Sequence, residues 1–173
     1  GCYGFHKYDG LDSDLSETFL FEYLDRPDDP DDFYEDCLMA AYFFGCKVLV
    51  ENNKSGFLNY FDRRGYSPWL IRPKGGRKTQ RGISAGVASK EQLASAFASY
   101  IENNTEKIIF PRLLNDLLDF DIQNSTKNDA TMSAGWAIVA AYRLKRNRKI
   151  IQDKEDKSAN EDYDFDFSSI SII

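Results

Sequence analysis

Residues 46–56 constrain the fold of this chain more than any other segment. They read Cys-Lys-Val-Leu-Val-Glu-Asn-Asn-Lys-Ser-Gly, a short β-branched apolar run that ends in a carboxylate, two amides, a lysine and a glycine. This pattern is typical of a buried central strand that delivers a polar side chain to the end of a sheet. Open α/β sheets place ligands and chemistry at that end. Glu51 is therefore a candidate functional residue, and the alternative is that it only terminates a strand.

The length and composition indicate one globular domain. The chain has 173 residues, of which 42% are hydrophobic, and no apolar run reaches the length of a membrane span. It shows no signal-peptide pattern at its start. Three cysteines without C-x-x-C spacing and a single histidine argue against a disulfide framework, a zinc site and a multi-histidine metal centre. Carboxylates are therefore the candidate metal ligands.

The net charge of −6 is unevenly distributed along the chain. Residues 54–90 contain nine Lys or Arg and one acid, a balance of +8, so the remainder carries −14. A basic island in an acidic protein indicates a polyanion contact confined to one face, and the alternative is a solvated basic loop. The candidate contacts are Lys54, Lys74, Arg77, Lys78, Arg81 and Lys90.

Local signals predict alternating strands and helices. Strands are expected at 2–8 and 17–24, joined as a hairpin. Asp29 is a predicted N-cap, Pro30 suits the first helical position, and Gly45 closes that helix. The later expectations are a strand at 46–51, a helix within 53–64, a brief strand at 69–71, a basic loop at 72–88, a helix from a capping box of Ser89 and Gln92 to about 104, a small helix opened by Pro111, and a helix at about 129–146.

The last predicted helix carries a stripe of small residues. Alanines at 130, 134, 137 and 141 recur at helical spacing. Such a stripe lets a helix approach a sheet closely, so we expect Asp129, in the first turn, to lie near the strand ends. After this helix the composition becomes polar and acidic. We therefore divide the chain into a domain at 1–149 and an acidic tail at 150–173 that is either flexible or a strand that docks on a neighbour.

The order of elements and four segments resemble the nuclease domain of large terminase subunits of tailed bacteriophages and prophages. Residues 21–33 resemble the segment before the second acidic motif of that family, and residues 48–56 resemble the motif itself. Residues 81–91 resemble the family's basic loop and following helix, and residues 120–130 resemble the segment with the last catalytic aspartate. The resemblance covers roughly residues 17–145.

This resemblance implies a ribonuclease H-like mixed β-sheet flanked by helices. It implies a hydrolase that cuts viral DNA during genome packaging with Mg²⁺ or Mn²⁺. Glu51 would be the second metal-binding carboxylate and Asp129 the last, within about 8 Å of each other, since two-metal sites hold their ions roughly 4 Å apart. The implied partners are double-stranded DNA, the terminase ATPase domain, the small terminase subunit and the portal, in the cytoplasm of a bacterial host and without a membrane.

The family's first catalytic aspartate has no counterpart among residues 1–20. We expect the chain to begin after that strand, as an excised fragment or the product of a truncated gene. A Walker A pattern is also absent from the sequence, which would put the motor ATPase elsewhere. Asp121 is either an accessory carboxylate or a loop or helix-end acid. Two other interpretations stay open: a catalytically inactive truncated nuclease-like domain that binds DNA or packaging partners, and an unrelated α/β interaction module.

The basic loop gives a first testable prediction. Replacing Arg77, Lys78 and Arg81 together with alanine should weaken binding of duplex DNA without changing sequence preference, because phosphate contacts carry no sequence information. Fluorescence anisotropy over a salt series would measure the effect. Unchanged affinity at low salt would contradict a role for this loop.

Overall fold

The chain is a mixed α/β protein in the computed structural model. The structure describes residues 1–7, 14–72, 80–84, 86–143 and 170–172. Several predicted features lie outside these residues: the DNA-contact candidates Lys74, Arg77 and Lys78, the end of the last helix at 144–146, and all of the tail except 170–172.

In the part of the chain that the structure describes, four strands form one mixed sheet. They are β1 (Cys2–His6), β2 (Thr18–Tyr23), β3 (Lys47–Val48) and β4 (Ile170–Ile172), and the sheet order is β2-β1-β4-β3. β1 pairs antiparallel with β2, which confirms the predicted pairing. β4 pairs antiparallel with β1 and parallel with β3. The end of the tail is therefore a strand inside this sheet.

Within the described residues, five α-helices and three short 3₁₀ segments surround the sheet. The helices are α1 (Pro30–Phe44), α2 (Ser55–Arg63), α3 (Val87–Asn104), α4 (Pro111–Leu118) and α5 (Asp129–Arg143), and the 3₁₀ segments are Ser67–Trp69, Thr105–Lys107 and Ile122–Lys127.

The first helix begins and ends where its sequence predicts. The Asp29 side chain accepts a hydrogen bond from the Asp31 N–H at 2.9 Å, and Pro30 occupies the first helical position. Gly45 is left-handed, with φ of 61°, and its N–H closes the last turn. The next N–H, of Cys46, also donates to the Ala41 carbonyl, at 3.0 Å. The chain therefore turns directly from α1 into β3.

The predicted capping box of Ser89 and Gln92 is wrong. α3 begins at Val87, and its N-cap is Gly86, three residues before the predicted cap Ser89. The Ser89 N–H donates to the Gly86 carbonyl at 3.1 Å, so Ser89 already lies within the first turn. The extended backbone of Gly86 sets the start of the helix instead of a side chain.

Two predicted strands are shorter than expected. The segment at 46–51 pairs as a strand only at Lys47–Val48, and Glu51 adds an isolated bridge to Ile83. The strand predicted at 69–71 is reduced to a single bridge between Leu70 and Val48. A 3₁₀ turn over Ser67–Trp69, which contains a proline near its start, takes the place of the first part of that strand.

The sheet lies between two layers of helices. The face of β1 that carries Cys2 packs into a core with residues of α1 and α2, including Leu38 and Phe61. Tyr3 and Phe5 face the opposite core, which contains residues of α3, α4 and α5. All four alanines of the small-residue stripe on α5 are buried in that second core, and α5 contacts β1. The predicted close packing of this helix on the sheet is confirmed.

Gly82 carries a prediction about the backbone beside Glu51. Its φ is +73°, and a Cβ would lie 2.4 Å from the Val50 carbonyl oxygen. We expect Gly82→Ala to lower the free energy of unfolding by about 2–3 kcal/mol, because backbone strain and a steric clash add. Gly65→Ala is the matched control, since Gly65 has φ of +81° but open space around it. Its loss should be only about 1 kcal/mol in urea denaturation. Equal losses would contradict the close approach.

Candidate metal and phosphate site

A cavity of about 830 Å³ opens beside the segment that follows β3 and the first turn of α5. The link between β2 and α1 forms another part of its wall. Its charged lining residues comprise four acids and four bases: Asp25, Glu51, Asp116, Asp129, Arg26, Lys54, Arg112 and Lys127. The mixture provides oxygen ligands for a cation next to positive charges that suit a phosphate.

Glu51 is half-buried on the wall of this cavity. The backbone before it is buried at Leu49 and Val50 and pairs with Ile83, whose N–H donates to the Val50 carbonyl at 2.7 Å. The Glu51 Oε1 atom accepts a hydrogen bond from the Trp136 indole N–H at 3.3 Å. Trp136 belongs to α5, so this helix orients the carboxylate that the strand presents.

Asp129 lies on the same cavity, at the first position of α5. It is exposed, and its backbone carbonyl accepts a hydrogen bond from the Ser133 hydroxyl at 2.7 Å. The structure therefore brings Glu51 and Asp129, which are distant in sequence, to one cavity. Their predicted separation of about 8 Å stays a prediction.

Asp116 is a third acid on this cavity, and the sequence analysis missed it. It projects from α4, and its Oδ2 atom accepts a hydrogen bond from the Thr131 N–H at 2.7 Å. Its Oδ1 atom accepts another from the Asn128 side-chain amide at 3.2 Å. Asp116 thus satisfies a free N–H in the first turn of α5 and positions Asp129. A signal was available, because Asp116 lies one turn after the fully buried Leu113 and shares its helix face.

Only Lys54 among the described DNA-contact candidates lines the cavity. Its side chain is exposed, and its backbone N–H donates to the Glu51 carbonyl at 3.0 Å. Arg81 instead forms an ion pair with Asp62, and the Lys90 ammonium donates to the Ser125 hydroxyl at 3.0 Å. The three described candidates therefore have different surroundings.

Two further bases of the island are paired with acids of α1. Arg63 contacts Asp31 at 3.0 Å, and Arg64 contacts Glu35 at 2.7 Å. These exposed pairs contribute little to the free energy of unfolding. They offset part of the positive charge that was predicted to contact a polyanion.

Asp121 is a helix-end acid. Its Oδ1 atom accepts a hydrogen bond from the Gln123 N–H at 2.9 Å, which caps the 3₁₀ segment Ile122–Lys127. Asp121 does not line the cavity that contains Glu51. The structure therefore favours the second of the two interpretations of this residue.

The donor chemistry of the cavity suits Mg²⁺ or Mn²⁺, because both ions prefer carboxylate oxygens. Glu51 and Asp129 could supply such oxygens, whereas both oxygens of Asp116 already accept hydrogen bonds. Within the described ranges, no three or more His, Cys, Asp or Glu side chains are grouped so that they could hold a metal ion. Asp25 is a further carboxylate on the cavity, and its Oδ1 atom accepts a hydrogen bond from the Arg26 N–H at 2.7 Å.

The three cysteines are core residues. All are buried and free. Burial raises the pKa of the Cys2 thiol, and it does the same for Cys46. Both thiols therefore stay protonated at neutral pH, which makes them poor nucleophiles and poor metal ligands.

Comparison of the chain with protein-family models, with curated proteins and with solved structures found no match. No helix in the part of the chain that the structure describes is long and apolar enough to cross a membrane. The interpretation of the cavity accordingly depends on its own residues.

Asp116→Ala tests the contact between α4 and the start of α5. We expect it to lower the free energy of unfolding by about 1.5–3 kcal/mol, because it leaves the buried end of α5 without a charged acceptor. Asp119→Ala is the control, since Asp119 is an exposed acid on the same helix end, and its effect should stay within about 0.5 kcal/mol. Urea denaturation would measure both. Similar losses in the two variants would contradict the positioning role of Asp116.

Proposed function

We propose that this chain is the nuclease domain of a tailed-bacteriophage or prophage terminase large subunit, with a ribonuclease H-like fold. It would hydrolyse phosphodiester bonds of viral double-stranded DNA with Mg²⁺ or Mn²⁺ during genome packaging. The observation that carries the proposal is that Glu51 and Asp129 line one cavity. These are the two residues that the resemblance assigns to the metal.

The residues around the cavity have separate tasks in this proposal. Glu51 and Asp129 would hold the metal through carboxylate oxygens. A pair of divalent ions, when bound, supplies positive charge at the attacking and leaving oxygens of the phosphodiester. Trp136 orients Glu51 through its indole N–H, and Asp116 fixes the turn that presents Asp129. Neither Trp136 nor Asp116 is needed as a metal ligand.

The bases on the cavity wall would hold the DNA backbone. Arg26, Lys54 and Lys127 all line it. Contacts of this kind attract phosphates of any sequence and weaken as salt rises. Lys54 is the central member, because it follows Glu51 by only three residues and so places an ammonium near the candidate metal ligand.

A catalytically inactive domain that binds DNA or packaging partners is the second candidate. One observation favours it: among the described residues, no three or more His, Cys, Asp or Glu side chains are grouped so that they could hold a metal ion. β4, the strand that the predicted order did not include, reads Ile-Ser-Ile and supplies no carboxylate. Extending the chain upstream with the family's aspartate-bearing strand should create DNA cleavage if the domain is a nuclease. It should change nothing if the domain is a binding module.

Manganese binding tests the proposed ligands without requiring cleavage. Electron paramagnetic resonance should detect Mn²⁺ bound to the wild-type chain, with affinity reduced at least tenfold in both Glu51→Gln and Asp129→Asn, because each removes a charged ligand. Asp121→Asn is the matched control and should bind as the wild type does. Equal affinity in all four proteins would contradict the site.

A further inference from the structure

β4 occupies the middle of the sheet, although it comes from the far end of the described chain. Ile170, Ser171 and Ile172 pair with three residues of β1 on one side. Ser171 and Ile172 also pair with two residues of β3 on the other side. No other strand in the described ranges pairs with both β1 and β3. The β1 and β3 edges therefore form a slot that is one strand wide.

The slot is covered on both faces. α1 contacts β4, and α5 contacts β4 as well. These two helices belong to the opposite layers that enclose the sheet. A strand covered on both faces is typically a continuous run of β-branched and small residues. The last four residues of the chain, Ile-Ser-Ile-Ile, have that composition.

The sequence before β4 has the opposite character. Of the 26 residues at 144–169, thirteen are Asp, Glu, Lys or Arg. Charged residues are depleted in strands and costly to bury between two helical layers. The slot therefore discriminates between the last residues of the chain and the segment that leads to them.

We propose that the slot between β1 and β3 is a binding site for an extended, β-branched peptide segment, and that the chain's own residues 170–172 are its exchangeable occupant. Recognition is by β-augmentation: main-chain hydrogen bonds to two strand edges supply affinity, and the two covered faces select apolar side chains. The β1–β4 pairing spans three residues, whereas the β1–β2 pairing spans five. β1 also packs against α5 through the second core, so departure of the occupant would leave these contacts in place. This inference does not depend on the proposed nuclease function.

Proline at position 171 should empty the slot. Ser171→Pro removes a backbone N–H from the centre of the strand and places a ring against the ladder. Ser171→Ala is the matched control, because it keeps the N–H. The probe is a fluorescent synthetic peptide with the sequence of residues 164–173, added to the full-length chain. We expect the peptide to bind the Ser171→Pro chain at least tenfold more tightly than the Ser171→Ala chain or the wild type.

Three outcomes would overturn the proposal. The first is a folded Ser171→Pro chain that binds the peptide no better than the control does. The second is a Ser171→Pro chain that loses its circular dichroism, since the strand would then be required for folding and not exchangeable. The third is a wild-type chain that is a dimer in light scattering and that the Ser171→Pro substitution converts to a monomer, which would make a second copy the occupant.

Hydrogen exchange on the wild-type chain tests the proposal without any substitution. An exchangeable strand opens without global unfolding, so the amides of residues 170–172 should exchange at least tenfold faster than those of the α5 core. Exchange of both groups at one common rate, set by global unfolding, would contradict the proposal.

Discussion

The candidate site depends on the close packing of α5 against β1. Small side chains on one face of this helix, among them Ala134 and Ala137, are fully buried against the strand that carries Tyr3 and Phe5. Larger residues there would hold the helix farther away, because interiors are packed too densely to absorb added volume. The same helix contributes both the first-turn Asp129 and, two turns later, the indole that binds Glu51. One packing contact therefore positions both carboxylates.

The sequence predicted correctly those features whose signals act between residues that are close together in the chain. The start and end of α1 were predicted correctly, because Asp29 and Gly45 act on backbone groups only a few residues away. The small-residue stripe was equally informative, since it repeats along a single helix. The role of Asp116 was missed because its partner N–H belongs to another helix. The central place of β4 was missed for the same reason: pairing between distant segments leaves no local pattern.

The ion pairs of the basic residues also could not be predicted from local sequence patterns. Residues 54–90 form one basic island in the sequence, because the sequence does not show which acid pairs with each base. In the fold, Arg81 forms an ion pair with Asp62, while Arg63 and Arg64 form ion pairs with acids of α1. Among the described bases of the island, Lys54 lines the cavity, together with Arg26, Arg112 and Lys127 from outside the island. Ion pairs with nearby acids lower the potential that the paired bases present to a polyanion.

The two halves of the sheet are connected to the rest of the fold in different ways. β1 and β2 form a local hairpin, and β1 is fixed to α5 through the second core. Among the described strands, β4 alone links β3 to that unit. The backbone after β3 packs separately, because Leu49 belongs to a core cluster with Trp136 of α5. Glu51 is thus held from two directions, by strand pairing behind it and by helix packing beside it. If β4 exchanges as proposed, its departure would loosen the first support and leave the second, so the two carboxylates would keep their common cavity.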